Sequence, residues 1–109
     1  MFIKYDEYEL LELFENEPVV IGDKEAGMFI YSKNDAVGFK LVLTVSIYEK
    51  ECELILTYQN FNSSIFDIKL KDVDRITCKN QKLSLLSIDD EKSIEVTFKP
   101  TFALKTFVL

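Results

Sequence analysis

The segment GFKLVLTVSIYEKECELILTYQN, residues 38–60, constrains the fold more than any other part of this chain. Its residues alternate between two faces, which is the period of a β-strand. One face holds Phe39, Leu41, Leu43, Val45 and Ile47, and the other holds Lys40, Val42, Thr44, Ser46 and Tyr48. Polar residues 49–51 predict a turn, after which the chain returns through Cys52, Leu54, Leu56 and Tyr58. The pattern predicts a long hairpin with one buried face, while the other face could be solvated, lie under a helix or meet a partner.

The segment YDEYELLELFENEP, residues 5–18, has a helical period instead. Asp6 can cap its N-terminus, and Glu9 stands three positions later, in the spacing of a capping box. At about 100° per residue, one side of the helix collects Leu10, Leu11, Leu13 and Phe14. Pro18 ends the segment, because the residue before a proline avoids helical geometry. We predict an amphipathic helix over residues 5–16 that docks its leucine side on the rest of the chain, since so short a helix is marginal alone in water.

Short strand-like runs separated by turn signals fill the remainder of the chain. They recur roughly every 8–12 residues, the rhythm of an antiparallel β protein, and read VVI, GMFIYS, IFDIKL, DVDRITC, LSLLSI, SIEVTF and FALKTFVL. The runs IFDIKL and DVDRITC form two strands, or one strand bent at Lys71–Asp72. No helical pattern lies between the strands, so parallel βαβ units are not expected. We predict one domain, residues 1–109, with a mainly β (α+β) fold: an antiparallel β-sandwich or strongly curved sheet over residues 19–109, with one N-terminal amphipathic helix.

Most residue types that build enzyme sites are scarce or missing in this sequence. It has no histidine, two cysteines and three glycines, which excludes histidine-dependent nucleophile systems, the usual four-ligand zinc site and the common phosphate-binding glycine loops. Cys52 and Cys78 lie in apolar runs and are expected to be buried free thiols. The acidic groups Asp72–Asp74 and Asp89–Glu91 could touch calcium, but ion pairing and turn geometry account for them better. We expect a non-enzyme with no catalytic residue, cofactor or metal, and catalysis by carboxylates alone is the weaker alternative.

Negative charge is concentrated at the start of the chain. The net charge is −6, and residues 1–17 carry −5 of it, from Asp6, Glu7, Glu9, Glu12, Glu15 and Glu17 against Lys4. Such a chain repels nucleic acid and anionic membranes and favours a basic protein partner. The candidate contact residues are the polar side of the helix and two aromatic residues beside a polar loop: Tyr8, Glu9, Glu12, Glu15, Tyr58 and Phe61. The alternative is that the helical glutamates form only a solvated surface.

The first residues, MFIKYDEYEL, turn acidic at once. A secretory signal begins basic and continues with an apolar stretch, so the segment does not match one. No apolar run approaches the ~20 residues that span a bilayer. These features predict a cytoplasmic protein.

The order of these segments resembles a known class of proteins. An acidic helix ending in ENEP precedes GFKLVLTVSIYEKECELILTYQN, IFDIKLKDVDRITCKNQKLSLLSI and IEVTFKPTFALKTF. This order is similar to that of the small cytoplasmic immunity proteins that low-GC Gram-positive bacteria place beside secreted or contact-delivered polymorphic toxins. The resemblance implies a protein that binds one cognate toxin and blocks it; many such toxins are nucleases with basic substrate grooves.

A second hypothesis is a structural or scaffold β domain that self-associates through an exposed sheet edge. The first hypothesis predicts a monomer or weak homodimer that pairs with a different protein. The two hypotheses therefore differ in what the chain binds.

Overall fold

The computed structural model describes residues 2–87, 92–99 and 102–108, with only the backbone described at residues 24, 92 and 106–108. This part of the chain contains one α-helix, α1 (Glu7–Phe14), and a 3₁₀ turn at Lys24–Ala26. Its strands are β1 (Val19–Val20), β2 (Met28–Asn34), β3 (Phe39–Ser46), β4 (Glu51–Tyr58), β5 (Phe66–Leu70), β6 (Val73–Lys79), β7 (Lys82–Ser87), β8 (Lys92–Thr97) and β9 (Ala103–Val108).

The strands form two antiparallel sheets. The first sheet has the order β1-β2-β3-β4-β5, and the second has the order β6-β7-β8-β9. Each strand is hydrogen-bonded to the strand that follows it in the chain, except that β5 and β6 belong to different sheets. The buried side chains of α1 and of both sheets form one apolar cluster. The predicted mainly β architecture with antiparallel pairing and an N-terminal helix is confirmed.

The predicted hairpin is β3 and β4, paired so that Leu43 lies opposite Leu54. Leu41, Leu43 and Leu54 are completely buried, whereas Phe39 at the end of the hairpin is half-buried. Side chains on the opposite face stay at least partly exposed along most of both strands. The hairpin therefore buries the face that its alternation predicts.

The helix is shorter than the predicted residues 5–16. Asp6 caps it, because one carboxylate oxygen accepts the N–H groups of Tyr8 at 2.9 Å and Glu9 at 3.4 Å. Helical geometry stops before Pro18, since Glu15 adopts a left-handed conformation with φ 60°. Leu10, Leu13 and Phe14 are buried as predicted. The prediction that Leu11 lies on the same buried side is wrong. Leu11 is 38% exposed, because at about 100° per residue it lies well to one side of the line formed by the other three.

The second face of the β3–β4 hairpin was predicted to be solvated, to lie under the helix or to meet a partner. The position of the helix excludes the second of these alternatives. The helix packs against β2 and β6, and its buried residues belong to the same cluster as Leu41 and Leu43. It therefore lies on the core side of the first sheet and not on the face that carries Val42 and Thr44.

The chain passes from the first sheet to the second at Asp72. This residue has φ 58°, and the next N–H, of Val73, donates to the carbonyl of Lys50 at 2.9 Å. The segments IFDIKL and DVDRITC are therefore two strands of different sheets, and not one bent strand. The left-handed residue redirects the chain between them.

Candidate functional site: three exposed surfaces

The outer side of α1 and the residue that caps its C-terminus, Glu15, carry four of the predicted contact residues. Tyr8 is 75% exposed, Glu12 and Glu15 are exposed, and Glu9 is half-buried. Glu9 and Glu12 line one groove of about 180 Å³ between the helix and the turn that joins β6 to β7. Lys79 lines the same groove, so a basic side chain lies among these carboxylates.

Glu15 forms an ion pair at the C-terminal end of the helix. Its carboxylate lies 3.2 Å from the Lys33 ammonium. The same ammonium donates to the carbonyl of Leu13 at 3.2 Å and lies 5.9 Å from the centre of the Phe98 ring. A cation at this position satisfies a terminal carbonyl and complements the helix dipole. Glu15 is thus part of a local structural contact as well as a surface residue.

We expect Lys33→Ala to lower the free energy of unfolding by about 1–3 kcal/mol, because it removes a charged hydrogen bond, the helix-end charge and the contact with the ring. Urea denaturation followed by circular dichroism measures this difference. Lys40→Ala is the matched control, since Lys40 is exposed on the neighbouring strand, and its effect should stay within about 0.5 kcal/mol. Equal losses in the two variants would contradict a special role for Lys33.

The other two predicted contact residues lie where β4 ends. The ring of Tyr58 lies 4.7 Å from that of Phe39 and 5.4 Å from that of Phe61, and Phe61 is 61% exposed. Tyr58 and Phe61 line a groove of about 400 Å³ with Asp35. One oxygen of the Asp35 carboxylate accepts three backbone N–H groups at 2.9 Å and holds the turn between β2 and β3.

The six predicted contact residues therefore do not form one continuous groove. Glu9 and Glu12 share one groove, Tyr58 and Phe61 share another, and Tyr8 lines a third with Tyr5. Whether any of these surfaces touches a partner stays a prediction.

Both cysteines are free thiols. Cys52 is buried as predicted, whereas Cys78 is only half-buried. Burial raises the pKa of each thiol to about 12, and the charges of Glu9 and Asp6 add to this effect at Cys78. Both side chains are therefore protonated at neutral pH, when they are poor nucleophiles and poor metal ligands.

The reasoning from sequence missed an acidic group at the edge of the first sheet. Asp67 in β5 is paired with Ile55, two residues along β4 from Glu53, so Glu53 and Asp67 are diagonal neighbours on one face of the sheet. A hydrogen bond with Asp67 raises the pKa of Glu53; burial and the Asp67 charge act in the same direction, against Lys69. Lys69 also lies 3.4 Å from Glu51. The alternation of acids at positions 49, 51 and 53 was a visible signal of this face.

The carboxylate groups considered for calcium have different outcomes. Asp74 is half-buried in β6, and its backbone carbonyl accepts the N–H of Lys4 at 2.9 Å. Asp89, Asp90 and Glu91 lie outside the described residues. Within the described ranges, no three Asp, Glu or Cys side chains are grouped closely enough to hold a metal ion. None of the helices described is long and apolar enough to cross a membrane.

Comparisons with known proteins identify a structural likeness but no sequence family. No protein-family model matches the chain, and no match was found among curated proteins. The fold is similar to that of a chain in a structure described as a contact-dependent growth inhibition toxin–immunity protein complex from Klebsiella pneumoniae 342. The TM-score is 0.81, the sequence identity is 23%, and the match covers 100% of both chains. The two chains therefore share one fold over their whole lengths.

Proposed function

We propose that this protein is a non-enzymatic, cytoplasmic immunity protein that binds and neutralises a cognate bacterial toxin. The observation that carries the proposal is the full-length likeness, with a TM-score of 0.81, to a chain from a toxin–immunity protein complex. The order of helix and strands in the sequence, which resembles that of immunity proteins, points to the same function.

Two features favour the role of the inhibitor over that of the toxin. The sequence lacks histidine, the commonest general base. Its net charge of −6 suits an inhibitor of an enzyme whose substrate is itself an anion. A nuclease with a basic groove is such an enzyme, and acidic side chains of an inhibitor can take the place of the phosphates. We therefore propose a protein toxin as partner, with a nuclease as the favoured class.

Co-expression with the toxin tests this function directly. The probe is the C-terminal domain of any large protein encoded directly upstream of this gene, expressed in a bacterial host with and without this chain. We expect growth arrest by the toxin domain alone, restored growth with both proteins, and a one-to-one complex on size-exclusion chromatography. A host that stays arrested although this chain is folded and abundant would contradict the proposal, as would the absence of any toxic protein beside the gene.

The self-association hypothesis retains one structural argument. In the part of the chain that the structure describes, β5 pairs with β4 alone, so its second edge can accept another strand. Asp67 and Lys69 in β5 are exposed, however, and charged side chains on an edge strand discourage pairing. We expect light scattering over a concentration series to show a monomer or weak homodimer.

A further inference from the structure

A stripe of apolar side chains crosses the face of the first sheet that points away from the core. We call this surface the outer sheet face and define its stripe by Val19, Ile30, Val42 and Ile55. The strand register places Val19 opposite Ile30 and Val42 opposite Ile55. Ile30 is paired with Thr44, two residues from Val42, so the two pairs are diagonal neighbours. The stripe is therefore continuous across four strands.

This stripe is partly exposed to solvent. Val19 is 63% exposed, and Ile30, Val42 and Ile55 are each half-buried. Residues on the opposite face of the same strands, such as Leu43 and Leu54, are 0% exposed. Helix α1 lies on that opposite face and therefore does not cover the stripe.

Carboxylates border the stripe at the β4–β5 edge. Glu51, Glu53 and Asp67 lie there with one cation, Lys69. Like charges on facing strands destabilise a sheet. A hydrogen bond with Asp67, partial burial and the Asp67 charge raise the pKa of Glu53, whereas Lys69, its cross-strand partner, acts in the opposite direction. An arginine or lysine from outside would satisfy both carboxylates at once.

We infer that the outer sheet face is the main docking surface for the toxin. An apolar patch of the toxin would pack on the stripe, and a basic side chain of the toxin would lie between Glu53 and Asp67. This inference rests on the proposed function and names its site. The charge of the border complements a basic partner, and an apolar centre with a polar border is the usual anatomy of a specific interface. The helix side, by contrast, carries most of the excess negative charge and would mainly speed the encounter.

The test compares three double variants that each remove two negative charges. Glu53→Gln/Asp67→Asn changes the outer sheet face, Glu9→Gln/Glu12→Gln changes the helix, and Asp23→Asn/Glu25→Gln changes an exposed turn. Ile55→Arg places a charge in the stripe. The probe is the toxin domain encoded upstream, copurified with this chain and then separated from it in denaturant. Surface plasmon resonance gives association and dissociation rates, and thermal melting checks that each variant is folded.

We expect Ile55→Arg to weaken binding about 30-fold or more, and Glu53→Gln/Asp67→Asn to weaken it about 10-fold, mainly through faster dissociation. The latter variant should melt no lower than the wild type, because it relieves repulsion within the sheet. The helix variant should slow association with little change in dissociation, and the turn variant should change each rate less than twofold.

Three results would overturn the inference. If the wild type binds the toxin domain but the outer-face variants bind equally well, the docking surface is wrong and the proposed function stands. If the wild type does not bind the toxin domain at all, the docking surface and the proposed function are both wrong. If sedimentation shows a stable dimer that Ile55→Arg dissociates, a second copy of the chain occupies the face.

Discussion

Phe14→Ala is expected to lower the free energy of unfolding by about 3–5 kcal/mol, a large share of the stability of a domain of this size. Phe14 is 0% exposed. Its ring centre lies 5.4 Å from that of Tyr31 in the first sheet and meets the ring of Phe98, just beyond β8, edge-on at 5.1 Å. Truncation would leave a cavity where the helix and both sheets meet and would remove two aromatic contacts. Urea denaturation followed by circular dichroism measures the loss.

Tyr8→Ala is the matched control for this variant, because it truncates an aromatic residue of the same helix. Tyr8 is 75% exposed, so the loss should stay below about 1 kcal/mol. If Phe14→Ala cost no more than Tyr8→Ala, the helix would not be part of the core, and the predicted docking of its leucine side would be wrong.

The helix and the long hairpin were predictable because each depends on a local period. Alternation over residues 39–58 specifies a buried face without any knowledge of the partner strand. The division into two sheets was not predictable in the same way. It depends on a backbone turn at Asp72, a residue type that adopts many conformations, and on hydrogen bonds such as that from Val73 to Lys50. A period of two is the same whether neighbouring strands share a sheet or not.

The candidate surfaces show the same limit. The spacing of Glu9 and Glu12 predicts that both lie on the polar side of the helix, and in the structure both line one groove. The partner of Glu15 could not be predicted, because Lys33 meets it only after the helix docks on β2. The meeting of Glu53 and Asp67 depends on the register between β4 and β5, and the loop 59–65 that joins them is long enough to permit several registers. Side-chain pairs set by tertiary packing lie beyond what sequence periodicity predicts.

The N-terminal residues Ile3 and Lys4 join the two sheets, although their local sequence pattern predicts no such role. The N–H of Ile3 donates to the carbonyl of Ile47, which follows β3, at 3.1 Å. Lys4 exchanges two backbone hydrogen bonds of 2.9 Å with β6, donating to Asp74 and accepting from Ile76. The segment therefore closes one side of the core, and its only buried side chain among residues 2–4 is Ile3.

Because Ile3 is 0% exposed, Ile3→Ala should lower the free energy of unfolding by about 2–5 kcal/mol. The same urea titration measures this variant, and Phe2→Ala is its neighbour control. Phe2 is 59% exposed, so its truncation should cost no more than about 0.5 kcal/mol. Should the two variants prove equally stable, the N-terminal segment would not seal the core. A large difference would mean that the sheets need this segment to stay together, and that a binding study must preserve it, because a weakened core would reduce binding at every surface at once.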